Sequence, residues 1–285
     1  MFSHTRFLLS SPSPLFPRAR YYQPNLSIWL SVDPMADKYP GVSPYTYCGN
    51  NPVKLVDADG REISTHTDKD GNVLAVYDDG YLGIFKHTDK EVTEFYNGTT
   101  FKNNLDELVG FTLCTKSFTN GDKIDYGSYE ARDWINAFET SFANASVNYP
   151  SNVAFYILNA GNGGIYDPKS YLSNGSQISD NIYLSPRDLG NFAAGRFGRI
   201  MNFSKARTLA SFGAFELAHN NKTQFLLHYN SYYKKAQNTI GDNLFFPQQV
   251  TYGEKSISNY FQRLGYENIK TIRDFNSNFD KIWKD

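Results

Sequence analysis

Three residues in the second half of the chain carry the side-chain types used in acid–base catalysis. Glu216 and His219 are three positions apart in a segment of helical periodicity, so they would share one helix face. That pairing suits a general acid and base, or two ligands of one metal ion. His228 would lie on the opposite side of a continuous helix, so a break at 220–221 is needed to bring it near. Because the sequence shows no third ligand, we predict acid–base roles for Glu216, His219 and His228 and assign no metal.

A glycine-bearing segment holds the densest group of polar residues. These residues are Arg187, Asp188, Asn191, Arg196 and Arg199. On a helix Asp188, Asn191 and Arg199 lie near one face, with Arg196 displaced by about 80° from Asp188. Glycines at 190, 195 and 198 indicate close approach of another group. Either a neighbouring helix packs there, or a phosphate or other substrate group binds with the arginines neutralising its charge. The glycine spacing fits neither a dinucleotide fingerprint nor a phosphate-binding P-loop.

Two further segments contain candidate substrate-binding residues. The run from His228 to Lys235 interleaves aromatic rings with cations, and Tyr232, Lys234 and Lys235 could stack on nucleobases and contact phosphates. The same spacing also suits a helix whose aromatic stripe packs into the core, with the lysines complementing the helix dipole at its end. Tyr252 and Glu254 precede the next predicted helix and are further candidates, although Glu254 could instead stabilise the helix N-terminus.

Composition excludes several classes of protein. The 285 residues carry a formal net charge of −1, which gives no bulk attraction to nucleic acid or anionic membrane. Cys48 and Cys114 are far apart and lack a CxxC partner, so neither a zinc site nor a disulfide framework is indicated. No apolar run approaches the length of a spanning helix, and no cofactor motif is present. We therefore expect a globular, soluble chain without a cofactor.

The elements that must position these residues change type along the chain. Residues 19–33 predict a hairpin with its turn at 23–25, and the apolar runs within 68–87 predict a second hairpin. Further strands are predicted at 111–115 and 153–158. Helices are predicted at 129–147, from a cap at Ser185, and at 204–220, 223–238, 254–265 and 276–284. The fold class is α+β, with short β-hairpins near the front and a mostly helical C-terminal half.

The run Asp68-Lys69-Asp70-Gly71-Asn72 allows two interpretations. It is typical of a tight turn, because aspartate and asparagine side chains bond to nearby backbone amides. It also resembles the start of a calcium-binding loop, in which the twelfth position would be Asp79 rather than the usual glutamate.

One stretch resembles a known family. Tyrosines and turn-forming prolines run from Arg20 through Ile28-Trp29-Leu30-Ser31-Val32-Asp33-Pro34 and Pro44-Tyr45-Thr46-Tyr47 to Asp57-Ala58-Asp59-Gly60. This order resembles the end of the RHS repeat-associated core of bacterial polymorphic toxins. In that family a variable C-terminal effector follows the core directly. Segments 65–74 and 187–195 also resemble parts of RHS effector tips, without indicating a reaction.

The resemblance implies an aspartyl protease pair that releases the effector. The matching residues are Asp33 and Asp57, with the family's cut expected just after Gly60. Two carboxyl groups held close share one proton, so one acts as base and the other as acid. Here Ala58 replaces the family's proline and the upstream repeats are missing. We therefore expect no efficient self-cleavage.

The resemblance also predicts the organisation and role of the chain. We expect a disordered leader at 1–18, a core remnant at 19–60, a β-hairpin connector at 61–100 and an effector domain at 101–285. The predicted function is a toxin, secreted or delivered into a competing bacterium, that hydrolyses nucleic acid and has a cognate immunity protein. The alternative is a non-enzymatic binding module, or a silent toxin cassette that acts only after recombination onto a full core.

Overall fold

A computed structural model describes residues 63–78, 81–113, 117–143, 149–239 and 250–283, together with two short strands nearer the N-terminus. The strands within these residues are β1 (Tyr22–Gln23), β2 (Ile28–Trp29), β3 (Ile63–Thr67), β4 (Val73–Asp78), β5 (Gly83–Lys86), β6 (Leu108–Phe111), β7 (Ser176–Ser179) and β8 (Ile182–Leu184). β3 to β8 form one sheet of order β4-β3-β5-β6-β8-β7. The β3/β5 and β6/β8 pairs are parallel, and the other neighbours are antiparallel.

The first predicted hairpin has its two strands paired. Tyr22 lies opposite Trp29 and Gln23 opposite Ile28 in an antiparallel ladder. Gln23, which the sequence analysis placed in the turn, is part of the strand. Asp33 and Asp57 of the expected protease pair lie outside the described residues.

The second hairpin forms between different strands from those predicted. β4 pairs with β3, and β5 also pairs with β3, so β4 and β5 are not neighbours. The reversal of the chain occurs at the Asp68–Asn72 turn, where Asp68 Oδ1 accepts bonds from the amides of Asp70 and Asn72. Asp68 Oδ2 accepts a further bond from the Asn72 side chain. Asp68 therefore stabilises the turn, in line with the first of the two interpretations of this run. Asp79, the twelfth position of the calcium-loop interpretation, lies outside the described residues.

Helices dominate the second half, as the α+β prediction requires. They are α1 (Asp89–Tyr96), α2 (Glu130–Phe142), α3 (Tyr149–Asn159), α4 (Pro186–Ile200), α5 (Lys205–Leu217), α6 (Lys222–Gln237), α7 (Ser256–Tyr266) and α8 (Ile272–Trp283). Ser185 caps α4 by accepting a bond from the Asp188 amide, as predicted. The strand predicted at 153–158 is wrong, because this segment lies within α3. Pro150 lies in the first turn of that helix, where the amide proton that proline lacks would have no partner within the helix.

The largest hydrophobic cluster joins the sheet to α2, α4, α7 and α8. Its fully buried residues include Ile135, Phe192, Phe261 and Phe275. A second cluster links α5 to α6. Because β5 pairs with β6, one sheet runs across the boundary predicted between connector and effector at 100/101. No helix in the described part of the chain has the length and apolar character needed to cross a membrane.

Candidate functional site

Two buried histidines meet where β3 and β5 run parallel. His66 lies on β3 beside Phe85 of β5, and His87 follows β5 directly. The His87 amide donates to Thr67 O at 3.0 Å, which extends the parallel pairing to the start of α1. Both histidines are almost completely removed from solvent, with 0% of His66 and 2% of His87 exposed.

The histidine rings form a chain of polar contacts. Ser64 Oγ is 2.8 Å from His66 Nε2, and His66 Nδ1 is 2.8 Å from His87 Nε2. The remaining ring nitrogen, His87 Nδ1, lies 2.8 Å from Glu107 Oε2 and 3.9 Å from Glu91 Oε2. This chain leads from the buried strand to two carboxyl groups nearer the surface, whose side chains are 35% exposed for Glu91 and 14% for Glu107.

Local structure explains why both carboxyl groups are there. Glu91 is the third residue of α1 and completes a capping box with Thr88, whose amide donates to Glu91 Oε2 at 2.9 Å. Glu107 ends a 3-10 helix, Leu105–Glu107, and its Oε1 accepts a bond from Asn104 Nδ2 at 3.2 Å. The short helix leads into β6, which pairs with β5. Because Glu107 directly precedes β6 and His87 directly follows β5, this pairing places the two residues side by side.

The environment moves the pKa values of the two carboxyl groups in opposite directions. Hydrogen bonds from Thr88 hold the pKa of Glu91 below its usual range. Burial raises the pKa of Glu107, and the adjacent Glu91 carboxyl raises it further. A pair shifted apart in this way can present one carboxylate and one carboxylic acid at the same pH, which is the requirement for acid–base catalysis.

Both histidines are held neutral by their surroundings. Burial lowers the pKa of His66 to about 3, and the nearby His87 contributes to that lowering. Loss of hydration also lowers the pKa of His87, although Glu91 opposes the shift. The Phe101 ring stacks on both imidazoles, at centroid distances of 5.4 Å from His66 and 4.1 Å from His87. Phe95 stacks on Phe101 in turn at 4.5 Å, so aromatic rings fix the imidazole planes.

Comparison with known proteins adds no assignment. No family model, curated protein or solved structure matches this chain.

The three residues predicted for acid–base work do not form a cluster. α5 ends at Leu217, so His219 lies beyond the helix with a left-handed φ of 54° and does not continue the helix face that carries Glu216. Glu216 Oε2 accepts a bond from the Asn220 side chain at 3.0 Å. His228 lies in α6 at a kink, with φ −121° and ψ 23°, and its side chain is exposed. Among the residues described, no side-chain hydrogen bond or ion pair connects the three.

The polar residues of α4 take separate roles. Arg187 Nε lies 3.0 Å from Oδ1 of the fully buried Asp188, and burial raises the pKa of Asp188 to about 6. Arg196 Nε pairs with Glu139 Oε1 at 2.8 Å, while the Arg199 guanidinium lies 5.5 Å from the Tyr266 ring centroid. Asn191 donates to its own helix, at Arg187 O.

The glycines of α4 are explained by packing. A Cβ at Gly195 would lie 1.9 Å from Gln262 O of α7, and one at Gly198 would lie 2.2 Å from the Thr208 side chain. Gly265 of α7 faces Phe192 O equally closely. Helix crossing, the first of the two explanations left open by the sequence, therefore accounts for Gly195 and Gly198.

A cleft of about 280 Å³ opens at the N-terminus of α4. Arg187 and Lys169 contribute the cations of its lining, and Asp122 contributes an acid. The cleft is polar and shallow, so it could admit an anionic group at Arg187.

The remaining predicted substrate-binding residues are split between core and surface. Tyr232 packs against the second hydrophobic cluster, whereas Lys234 and Lys235 are exposed at the end of α6. Tyr252 is buried and has a left-handed φ of 57°. Glu254 Oε1 accepts a bond from Gln262 Nε2 at 2.9 Å. Burial raises the pKa of Glu254 to about 8, and the negative charge of Glu216 adds to the shift.

Sequence reasoning missed the histidine and glutamate cluster. Its one local signal was the four-residue spacing of His87 and Glu91 at the junction of a strand and a capped helix. His66 lies 21 residues before His87, and Glu107 lies 20 residues after it. These residues meet His87 only because β5 pairs with both β3 and β6.

Proposed function

We propose that this chain is the effector of an RHS-type polymorphic toxin used in competition between bacteria, and that it acts as a hydrolase. The toxin class is supported by the resemblance of residues 20–60 to the end of the RHS core. In that family an effector follows at this position, and the six-stranded sheet begins with Ile63, three residues after the core-like segment.

The observation that carries the hydrolase proposal is the contact between His87, Glu91 and Glu107. A carboxylate that stays ionised can take a proton from water, and a neighbouring carboxylic acid can donate one to a leaving group. Glu91 and Glu107 have those opposed pKa shifts, and the 35% exposure of Glu91 lets water reach the pair. His87 adjoins both groups and can exchange protons with Glu107.

Nucleic acid is the proposed substrate. Lys234 and Lys235 are exposed together at one helix end, and Arg187 lines the cleft at the start of α4. These cations could contact phosphates locally in a chain whose net charge is only −1. A cognate immunity protein is the proposed partner, because a hydrolase of this class would otherwise damage the producing cell.

The test is induced expression of the full chain in a bacterial cytoplasm, with growth, RNA integrity and DNA integrity followed together. We expect growth arrest with degradation of RNA or DNA in cells producing the wild type. Unchanged growth would contradict the toxin proposal and favour the silent-cassette or binding-module alternative. Growth arrest with intact nucleic acids would keep the toxin class and overturn the substrate.

A further inference from the structure

Three atoms of the types that bind metal ions converge at the His87 cluster. His87 Nδ1 lies 2.8 Å from Glu107 Oε2 and 3.9 Å from Glu91 Oε2. One potential ligand atom from each residue lies within 4.8 Å of the others. Imidazole nitrogens and carboxylate oxygens bind zinc at about 2.0–2.2 Å, so two ligands of one ion are about 3 Å apart. The observed separations are therefore near those of a shared ion.

Two of these atoms are buried without a hydrogen-bond partner. His87 Nδ1 and Glu107 Oε2 have no acceptable hydrogen bond in the described part of the chain, although they lie 2.8 Å apart. The His87 side chain is only 1% exposed, so bulk water does not compensate Nδ1. An unpartnered buried polar atom is costly, and an imidazole lone pair facing a carboxylate oxygen is repulsive unless a proton or a metal cation lies between them.

The contacts behind His87 are those expected around a metal ligand. A histidine that binds metal through one ring nitrogen usually donates the proton of its other nitrogen to a fixed acceptor. His87 Nε2 lies 2.8 Å from His66 Nδ1, and His66 Nε2 lies 2.8 Å from Ser64 Oγ. If His87 Nε2 donates to His66 and His66 Nε2 donates to Ser64, the lone pair of His87 Nδ1 points toward the glutamates.

We propose that His87 Nδ1, Glu91 and Glu107 bind one divalent first-row transition-metal ion of the zinc type, with water completing its coordination. One imidazole nitrogen with two carboxylate oxygens suits Zn²⁺ or Mn²⁺, whereas Mg²⁺ and Ca²⁺ prefer oxygen ligands throughout. Glu91 is the most exposed of the three ligands, so the water position faces solvent on its side. With the ion bound, Glu107 would be an ionised ligand, so the proton-donor role proposed above for Glu107 applies to the metal-free protein. The site stands on this geometry and does not depend on the toxin assignment.

Two other roles compete for the same residues. Glu91 could serve only the capping box, and a proton rather than a metal could lie between His87 and Glu107. Glutamine also completes a capping box, so Glu91→Gln keeps the cap and removes a charged ligand. Glu94→Gln is the matched control, because Glu94 lies on the same helix and pairs only weakly with Lys90 at 3.8 Å.

The experiment is titration of the chelator-treated full-length protein with zinc chloride by calorimetry, with magnesium chloride as the comparison. We expect one zinc per chain and much weaker magnesium binding. Glu91→Gln and Glu107→Gln should each weaken zinc binding at least about tenfold, and Glu94→Gln should leave it unchanged. Absence of zinc binding to the wild type, or equal binding by all variants, would overturn the proposal.

A second measurement needs no variant and so does not depend on the folding of one. In wild-type protein labelled with ¹⁵N-histidine, zinc should change the chemical shift of Nδ1 in one of the five histidines while its Nε2 keeps its proton. Coordination only through Nε2, or through histidines at the surface, would contradict the assignment. Because neither readout measures activity, loss of zinc binding and loss of toxicity are separate results.

Discussion

His66 Nδ1 lies 2.8 Å from His87 Nε2, between two parallel strands and beneath a stacked phenylalanine ring. Two imidazoles at this distance share one proton, so the tautomer of one ring fixes that of the other. Through this contact the buried Ser64 end of the cluster is coupled to Glu107, which is largely buried, and to the more exposed Glu91.

The protein should lose stability in mild acid because His66 is neutral when folded. Burial lowers its pKa from 6.5 to about 3, so below pH 6.5 the unfolded chain binds a proton that the folded chain does not. Above pH 6.5 this difference does not affect stability. As the pH falls from 6.5 toward 3, the free energy of unfolding should decrease by about 1.4 kcal/mol per pH unit. Urea unfolding between pH 3.5 and 7.5 measures this slope.

His66→Phe should reduce that slope. Equal slopes for the wild type and His66→Phe would show that His66 does not titrate on unfolding.

Glu254 should produce the opposite dependence in mild alkali. Its folded pKa is raised from 4.5 to about 8 by burial, so the folded state holds a proton that the unfolded state releases. Stability should therefore be full below pH 4.5 and decrease as the pH rises through 8. Glu254→Gln should remove this decrease and add about 2 kcal/mol to the free energy of unfolding at pH 9, a figure reduced for partial exposure. If the free energy of unfolding of Glu254→Gln decreased in alkali as much as that of the wild type, Glu254 would not be the group responsible.

Gly195→Ala should disrupt the crossing of α4 and α7. The new Cβ would lie 1.9 Å from Gln262 O, a backbone atom that cannot move without shifting the helix. We expect a loss of more than about 3 kcal/mol in the free energy of unfolding, measured by urea denaturation. Gly190→Ala in the same helix is the control, because its nearest contact is Pro168 Cδ at 3.2 Å. Similar stability of both variants would mean that the crossing tolerates a side chain.

The lysines at the end of α6 should contribute to binding of nucleic acid. Replacing both Lys234 and Lys235 by glutamine should lower affinity for a single-stranded oligonucleotide. The slope of log affinity against log salt should fall by up to about 1.4, or about 0.7 for each lost phosphate contact. Fluorescence anisotropy at several salt concentrations measures the slope. Lys69→Gln serves as control, since Lys69 already pairs with Asp89 at 2.8 Å. Equal effects of both changes would argue against α6 as the binding surface.

Local signals in the sequence predicted the helices better than the strand pairing. The cap at Ser185 fixed the start of α4 because its side chain bonds within the same turn. The run 153–158 was short and apolar throughout, so its pattern could not separate a buried strand from a helix. The sequence also did not show that β4 pairs with β3. Four successive residues of β3 are polar, so no apolar run marks this strand, although the sheet buries all four: Ser64, Thr65, His66 and Thr67.

The candidate site was hidden for the same reason. His66 and Glu107 are 41 residues apart and meet only through a parallel pairing and a 3-10 helix. By contrast, Glu216 and His219 matched a helical spacing, yet the helix ended between them. Spacing along the chain identifies catalytic pairs only where the element continues through both residues.

The most direct test of the proposed hydrolase is a growth comparison between cells expressing Glu107→Gln and cells expressing Glu94→Gln. Both changes neutralise one glutamate, but only Glu107 contacts His87. The proposal predicts normal growth with Glu107→Gln and growth arrest with Glu94→Gln and the wild type, at equal protein levels. Growth arrest by Glu107→Gln as strong as that of the wild type would contradict the assignment of this cluster as the catalytic site.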